Sequence, residues 1–394
     1  MKKGWQKKTI GDVCEVIAGQ SPEGKFYNAE GKGIPFYQGK KDFGDKFIEA
    51  PTTWTTQTTK IARDGDILMS VRAPVGPVNF ATGEVCIGRG LAAIRSSEEL
   101  DREFLFYQLL HLQPEIAGRE GAVFASINKK EIEALPLAYA PLVEQQRIVG
   151  LLDEAFEGLA TAKANAERNL QNARALFESH LQSVFTQRGP GWMEKPLYEL
   201  CDIKHGYAFE GKYFSTKGEY VLLTPGNFYE RGGYRDRGEK QKYYTGDIPS
   251  DFVLKEGDLL VAMTEQAAGL LGSPILVPQS AKFLHNQRLG LVTKKPGAPW
   301  TNDFFFHVFN TQSVRKAIHA SASGVKVRHT SPTKIGEVFV SFPASLSEQK
   351  RIVSTLASLM RDTQRLVEIY ERKCAAVEAM KSSLLHQAFI GQLS

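Results

Sequence analysis

A long helical pattern that occurs twice constrains this chain more than any other feature. Its first copy, Leu142–Phe185, opens Glu144-Gln145-Gln146-Arg147-Ile148-Val149, and its second, Leu346–Phe389, opens Glu348-Gln349-Lys350-Arg351-Ile352-Val353, 204 positions later. In each copy apolar or small residues recur in steps of three and four, which keeps one stripe of a helix facing a partner. The first stripe is Ile148, Leu152, Ala155, Leu159, Ala162, Ala166, Leu170, Ala173, Phe177, Leu181 and Val184. The second is Ile352, Leu356, Leu359, Thr363, Leu366, Tyr370, Cys374, Val377, Lys381, Leu385 and Ala388, with Met380 and Leu384 beside it. Both stripes take two successive steps of four around their sixth member, a stutter that locally unwinds a supercoil. A shared irregularity argues for matched helices. Each spans about 40 residues, or roughly 60 Å at the usual helical rise. Two such helices in one chain most simply bury their stripes against each other, antiparallel, with both stripes as core.

The segments ahead of the helices repeat as well, more loosely. Trp5, Ile10 and Cys14 answer to Trp192, Leu197 and Cys201, and the alternation around them reads as a half-buried strand. Gly65-Asp66-Ile67-Leu68 matches Gly257-Asp258-Leu259-Leu260, each Gly-Asp a turn that launches an apolar strand. Arg89-Gly90-Leu91 lies near the level of Arg288-Leu289-Gly290, and Glu103-Phe104-Leu105 pairs with Asp303-Phe304-Phe305 as a helix start with an acidic first turn. The offset grows from 187 to 204 along the chain, so the second copy carries insertions between shared landmarks. One scaffold with different decoration is how a fold is given two specificities. The expected division is a first domain at 1–141, a spacer helix and linker at 142–191, a second domain at 192–344 and a distal spacer helix at 345–394. The expected fold class is α+β: two pseudo-repeated mixed domains separated by two long helices that form an antiparallel coiled coil.

Composition excludes little. A net charge of +5 over 394 residues does not by itself mark a nucleic-acid binder, and no segment is a polybasic tail. Cys14, Cys86, Cys201 and Cys374 are far apart, form no Cys-x-x-Cys pair and read as reduced thiols. The N-terminus lacks an apolar signal core, and no apolar run is long enough to span a bilayer, so the expected location is the cytoplasm, without a membrane.

Catalytic signals are weak. Gly19 to Lys25 and Gly206 to Lys212 are each formally Gly-x-x-x-x-Gly-Lys. A phosphate-cradling loop needs a following Ser or Thr for magnesium and a helix whose amides face the phosphates, yet Phe26 and Tyr213 follow and Pro22 sits inside the first loop. The alternative is a strand-exit turn. Histidines and cysteines show no metal-ligand spacing, no nucleophile elbow is present, and the Asn/Asp-Pro-Pro-aromatic loop of an adenine methyltransferase is absent. No catalytic residue and no metal ligand is assigned.

Base-reading chemistry is better supplied. Arg, Lys, Asn and Gln make the bidentate contacts that tell guanine from adenine in the major groove, and phosphate contacts outnumber base contacts. Candidates in the first domain are Lys40, Lys41, Arg63, Arg72, Arg89, Arg119, Asn128 and Lys129. In the second domain Arg231, Arg235 and Arg237 lie in a Gly/Tyr-rich insertion, with Lys240 and Lys242 after it. Gln266, Gln287, Arg288, Lys326 and Arg328 follow.

With these residues in view, the chain resembles the specificity subunit of type I restriction-modification enzymes over nearly its full length. The resemblance is carried by Trp5 to Cys14 and Trp192 to Cys201, by Gly65-Asp66-Ile67-Leu68 with Val71-Arg72-Ala73-Pro74-Val75-Gly76, by Ile87-Gly88-Arg89-Gly90-Leu91, and by both Glu-Gln-x-Arg-Ile-Val helix starts. The family often has a double proline before those helices, where Ala140-Pro141 and Pro343-Ala344 stand here. The second half reads Thr264-Glu265-Gln266-Ala267-Ala268-Gly269 in place of Arg-Ala-Pro-Val-Gly, which assigns its domain to a different target class.

The resemblance implies a non-catalytic subunit in which each domain reads one half of a bipartite site in double-stranded DNA. The helices would set the gap and dock two modification methyltransferase subunits, with restriction/translocase subunits in the full complex. It places S-adenosylmethionine, ATP and Mg in those partners and no cofactor in this chain. Outer-face residues Arg147, Glu154, Arg168, Arg351, Arg365 and Arg372 are the expected partner contacts. Two other classes compete: a nucleotide hydrolase built on Lys25 and Lys212, and a free-standing structural or regulatory DNA-binding protein on a coiled-coil scaffold.

Overall fold

The structure is a computed structural model that describes residues 4–117, 126–265 and 269–393. Arg119 and Gln266 lie outside the described residues. The chain divides into two compact units, Met1–Arg168 with Tyr370–Ser394, and Asn169–Ile369. Each unit thus takes in one of the repeated segments and part of both long helices.

In the first unit the chain enters as strand Gln6–Thr9, makes the single-turn helix Ile10–Val13 and continues as strand Cys14–Ala18. The sequence alternation suggests one uninterrupted strand. The turn of helix intervenes because the Asp12 carboxylate accepts from the Thr9 amide at 2.7 Å and hydroxyl at 2.9 Å, a local capping arrangement that competes with extended pairing. In the second unit Trp192–Pro196, Leu197–Leu200 and Cys201–His205 repeat the sequence of elements.

The central sheet has the same order in both units. In the first it runs Cys14–Ala18, Leu91–Ser96, Ile67–Ser70, Val78–Phe80, antiparallel throughout. In the second it runs Cys201–His205, Leu289–Lys294, Leu259–Ala262, Pro274–Leu276. The inner strands Ile67–Ser70 and Leu259–Ala262 are buried at every position because both sheet faces are covered. Ile67 and Met69 point into the main core and Leu68 into a second cluster with Ile87 and Ala93. Leu259 and Val261 are likewise separated from Leu260 and Ala262. This is period-two alternation with an apolar partner on each side, where each fully buried Leu or Ile contributes about 1.5–3 kcal/mol. The launching turns need glycine: Gly65 and Gly257 have φ of +79° and +78°, and the Asp66 and Asp258 carboxylates accept from the Arg63 and Lys255 amides, each at 2.8 Å.

A second, smaller sheet in each unit contains one parallel pair: Ile34–Tyr37 with Val85–Ile87, and Tyr220–Leu222 with Phe283–Leu284. Helix Arg102–Ala117 covers the first central sheet, its start capped by Asp101, which accepts from the Glu103 and Phe104 amides at 2.9 and 3.0 Å. In the second unit the equivalent helix stops at Phe309 and restarts as Gln312–Ser321 behind the capping hydroxyl of Thr311.

The long helices are unbroken over Leu142–Gln187 and Leu346–Phe389. In the first unit Lys163 pairs with Glu378, the Lys381 ammonium lies 5.3 Å from the Phe156 ring centre, and Arg147 donates to the Leu393 carbonyl at 2.8 Å. One number falls as the other rises, so the helices run antiparallel. In the second unit Leu181 and Phe185 share a core with Ile352 and Leu356. The stripes are less continuous than the sequence suggests: Ala162, Leu366 and Lys381 are exposed. Burial is deepest at the helix ends, where a stripe meets a domain core through Phe389 on Phe104 (5.3 Å) or Phe185 on Phe304 (5.4 Å). Midway the buried members are small, Ala166, Ala173 and Thr363.

The glutamine that opens each helix is fully buried and fully used. Gln145 accepts from the Asp101 amide at 2.8 Å and donates to the carbonyls of Ala140 at 2.8 Å and Glu99 at 3.1 Å. Gln349 accepts from the Thr301 amide and hydroxyl, both at 3.1 Å, and donates to the carbonyls of Pro299 at 2.7 Å and Pro343 at 3.0 Å. Each therefore ties the start of a long helix to the last strand and to the start of the covering helix of its unit. Among the described residues, no helix is long and apolar enough to cross a membrane.

Candidate nucleic-acid interface

Each unit carries an open cleft on the same backbone frame. In the first it is bordered by Ser21, Gln38, Lys40, Lys41, Arg72 and Arg89. Its floor is the turn between strands Val85–Ile87 and Leu91–Ser96. That turn is held by bonds from the Gln20 amide to the Ile87 carbonyl (2.9 Å), Gly19 to Leu91 (2.9 Å), Leu91 to Gly88 (3.0 Å) and Val71 to Gly90 (3.0 Å). Gly19 leaves no room for a side chain: a Cβ would stand 2.2 Å from the Gly88 carbonyl oxygen.

The second cleft is bordered by His205, Thr264, Gln287, Arg288, His329 and Thr330. Its turn is held in the same way, by Tyr207 to His285 (2.8 Å), Leu289 to Asn286 (3.0 Å) and Met263 to Arg288 (3.0 Å), and a Cβ on Gly206 would stand 2.2 Å from the Asn286 oxygen. These bonds pair Leu91 with Leu289, Gly90 with Arg288 and Arg89 with Gln287. Sequence similarity puts Arg89-Gly90-Leu91 near the level of Arg288-Leu289-Gly290, and the main-chain bonds fix the register one position away from a match of the two arginines, because the shared letters Arg, Gly and Leu occur in different order. The next strand agrees: Arg72 bridges Ser126 as Thr264 pairs with His329, and the Ile127 and Thr330 amides donate to Val71 and Met263 at 3.0 Å each.

The sequence candidates are distributed unevenly. Lys40, Lys41, Arg72 and Arg89 converge on the first cleft, all exposed, and among the described residues only Lys41 of the four is near a carboxylate, 3.8 Å from Asp42. Arg288 borders the second, together with Gln287. Arg63 is at the opposite end of strand Ile67–Ser70 from Arg72. Asn128 caps the short helix Lys129–Glu133 by accepting from the Glu131 amide at 3.1 Å, and Lys129 pairs with Glu133 at 3.5 Å. In the insertion Arg231 is exposed, the Arg235 guanidinium lies 5.9 Å from the Tyr229 ring centre, Arg237 packs against Gly226, and Lys240 and Lys242 are exposed, the latter 5.6 Å from the Phe214 ring centre. The base of this insertion is stiffened by a buried bond from Asn227 to Gln241 at 2.9 Å. Lys326 is exposed beside Val325.

Arg328 is turned inward, donating to the His319 carbonyl and standing 3.5 Å from Glu265. Glu265 is buried and accepts from the amides of Gly269, Leu270 and Leu271 at 3.1, 3.1 and 3.0 Å, so this carboxylate holds the segment Gly269–Leu271. Gly76 and Gly269 have φ of +106° and +108°. Of the expected partner contacts, Arg147 and Arg351 pair with Glu144 and Glu348 one turn away, at 2.8 and 2.7 Å, while Glu154, Arg168, Arg365 and Arg372 are exposed.

The Gly-x-x-x-x-Gly-Lys loops do not form a phosphate cradle. Lys25 pairs with Glu23 and Lys212 with Glu210, each at 2.6 Å, and each lysine is the middle residue of only a three-residue 3-10 turn, Gly24–Phe26 and Gly211–Tyr213. Among the described residues, no group of three His, Cys, Asp or Glu side chains could hold a metal ion.

Two buried histidines make the second unit acid-sensitive. Burial pushes His285, beneath the turn, and His307, in the covering helix, down to about 4 from the ordinary 6.5. Between these values the unfolded chain binds protons that the folded chain does not. Their contribution is therefore complete above pH 6.5 and falls as the pH drops toward 4, by up to about 1.4 kcal/mol per pH unit for each. The melting temperature at pH 5 is expected to lie below that at pH 7, and His307→Phe to remove part of the drop; an unchanged difference would count against it.

The family profile of the type I restriction modification DNA specificity domain matches twice, at 2–168 and 190–371. A Methanocaldococcus jannaschii protein designated the type I restriction enzyme MjaX specificity subunit is 39% identical over 188 residues, 44% of each chain, so the match spans less than half of that relative. The type I restriction enzyme MjaVIII specificity subunit of the same organism is 20% identical over 403 residues, covering 99% of this chain and 93% of that one. A chain solved for the structural basis of complex assembly and conformational transition of the type I R-M system superposes with a TM-score of 0.80 at 18% identity, covering 100% of this chain and 99% of that one, which bears on the fold. With two copies of the domain matched over most of its length, two clefts on one repeated frame and paired long helices, the chain belongs to the type I restriction-modification DNA specificity family.

Proposed function

We propose that this chain is the DNA-recognition subunit of a type I restriction-modification complex and that each cleft reads one half of a bipartite duplex site. The observation that carries this reading is the pair of clefts: one main-chain frame presents Arg72 and Arg89 in one unit and Thr264, Gln287, Arg288 and His329 in the other. The same scaffold with different hydrogen-bonding groups is what two different half-sites require. In this reading the long helices set the gap between half-sites, as fixed spacing does in other two-headed readers, and present Glu154, Arg168, Arg365 and Arg372 to two methyltransferase subunits. S-adenosylmethionine, ATP and Mg belong to those subunits and to the restriction/translocase subunits, and this chain supplies specificity rather than bond chemistry.

Methylation of duplex DNA tests the reading. The purified chain alone is expected to transfer no methyl group, and addition of a cognate methyltransferase subunit to yield methylation at one split sequence. Methylation by the chain alone, or sequence-independent methylation by the assembled enzyme, would defeat it.

A further inference from the structure

Arg89 and Gln287 occupy one structural position. Each follows a strand that pairs in parallel within the smaller sheet, and each precedes the strand that crosses into the central sheet. The Arg89 amide donates to the Ser21 hydroxyl at 3.2 Å and the Gln287 amide to the Tyr207 carbonyl at 3.0 Å, so both backbones are tethered to the segment that follows Gly19 or Gly206. The two residues before them are buried, Ile87 and Gly88 in one unit and His285 and Asn286 in the other, and Leu91 and Leu289 after them are buried too. At this position, in both units, a long polar side chain leaves a clamped turn for the open cleft, whereas the next position carries Gly90 in one unit and Arg288 in the other. Neither side chain makes a hydrogen bond or ion pair with a described residue, whereas Arg95, in the same sheet, is bidentate to Asp66 at 2.9 and 2.7 Å.

A fixed backbone lowers the ordering cost of a long side chain when it meets a ligand. The two side chains offered are the two that read purines by paired hydrogen bonds: a guanidinium donates twice, to guanine O6 and N7, and a carboxamide both donates and accepts, at adenine N7 and N6. Resting on the DNA-recognition reading above, we infer that Arg89 and Gln287 are equivalent base-reading residues, Arg89 specifying a guanine in one half-site and Gln287 an adenine in the other.

The test exchanges them in the full chain. Arg89→Gln and Gln287→Arg are each mixed with a randomised pool of duplex oligonucleotides, and the bound fraction is sequenced beside that of the unmodified chain. Both side chains are exposed, so melting temperatures are expected to match. The inference requires Arg89→Gln to turn one guanine of one half-site into adenine, and Gln287→Arg to turn one adenine of the other half-site into guanine, each with a change of preference on the order of tenfold. All other positions should stay as they were. Binding that weakens evenly across all sequences would assign these side chains to phosphates and overturn the inference, as would an unaltered preference. A pool that the unmodified chain does not enrich at all would instead overturn the DNA-recognition reading on which the inference rests.

Discussion

Replacing Gln145 or Gln349 by leucine is expected to destabilise its unit by about 3–5 kcal/mol, far more than a surface change near the start of either helix. Leucine keeps much of the volume, so the loss is polar. Without Gln145 the Asp101 amide and the Glu99 and Ala140 carbonyls lose their partner in a site closed to water. Each buried group left unpaired costs about 1–3 kcal/mol. Gln145→Glu should be nearly as harmful, since a carboxylate accepts but cannot donate to the two carbonyls. Gln146, next in the chain and exposed, is the control, and Gln146→Ala should move the denaturation midpoint little. A denaturant titration in which Gln145→Leu and Gln146→Ala unfold together would remove the clamp from this account.

The second large effect is expected at the glycines beneath the clefts. In Gly206→Ala the new methyl group would sit 2.2 Å from the Asn286 oxygen and 2.4 Å from that of His285, both main-chain atoms that cannot swing aside. The turn carrying Gln287 must then move, at about 1–3 kcal/mol of stability. Recognition should suffer more, because a reading side chain displaced by about 1 Å no longer meets its base in register. Gly206→Ala should abolish discrimination at one half-site and leave the other intact, and Gly19→Ala should do the reverse. Gly24→Ala and Gly211→Ala, where a methyl group would meet open space, should change neither. Selected-pool sequencing with each variant decides this, and equal damage to both half-sites by Gly206→Ala would sink it.

The architecture was legible where it was written twice. Two Glu-Gln-x-Arg-Ile-Val starts, 204 positions apart and each followed by the same stutter, leave little choice but matched helices, and Gly65-Asp66 and Gly257-Asp258 announce the central strands. What escaped depends on three-dimensional neighbours. The pattern marks Gln145 and Gln349 as a motif, but their role is visible only once the covering helix and last strand close over them. Stripe members Ala162 and Lys381 have the right spacing and lack a partner deep enough to bury them. At the clefts, residue type found Arg72, Arg89 and Arg288 but placed Arg328 with them, although its guanidinium faces Glu265. Ser21 and Gln38 carry no sequence signal, since small polar residues are common in every loop, and His329, beside Arg328 and Lys326, reads in sequence as a lone surface histidine; only the fold brings them to the clefts.

The self-paired lysines of the two Gly-Lys turns bear on how this molecule meets a polyanion. Lys25 and Lys212 each count as a positive charge in the sequence, yet each is matched by a carboxylate two residues earlier, so at the distance of a passing duplex each pair is close to neutral. Lys129, Lys195, Arg147 and Arg351 are likewise paired with carboxylates three or four residues away. These paired charges are therefore close to silent to an approaching strand, while Lys40, Arg72 and Arg89 on one cleft and Arg288 on the other have no carboxylate partner among the described residues. Self-neutralised turns beside clefts with open charge favour brief, forgiving encounters where only those turns meet a duplex and retention where the clefts are filled.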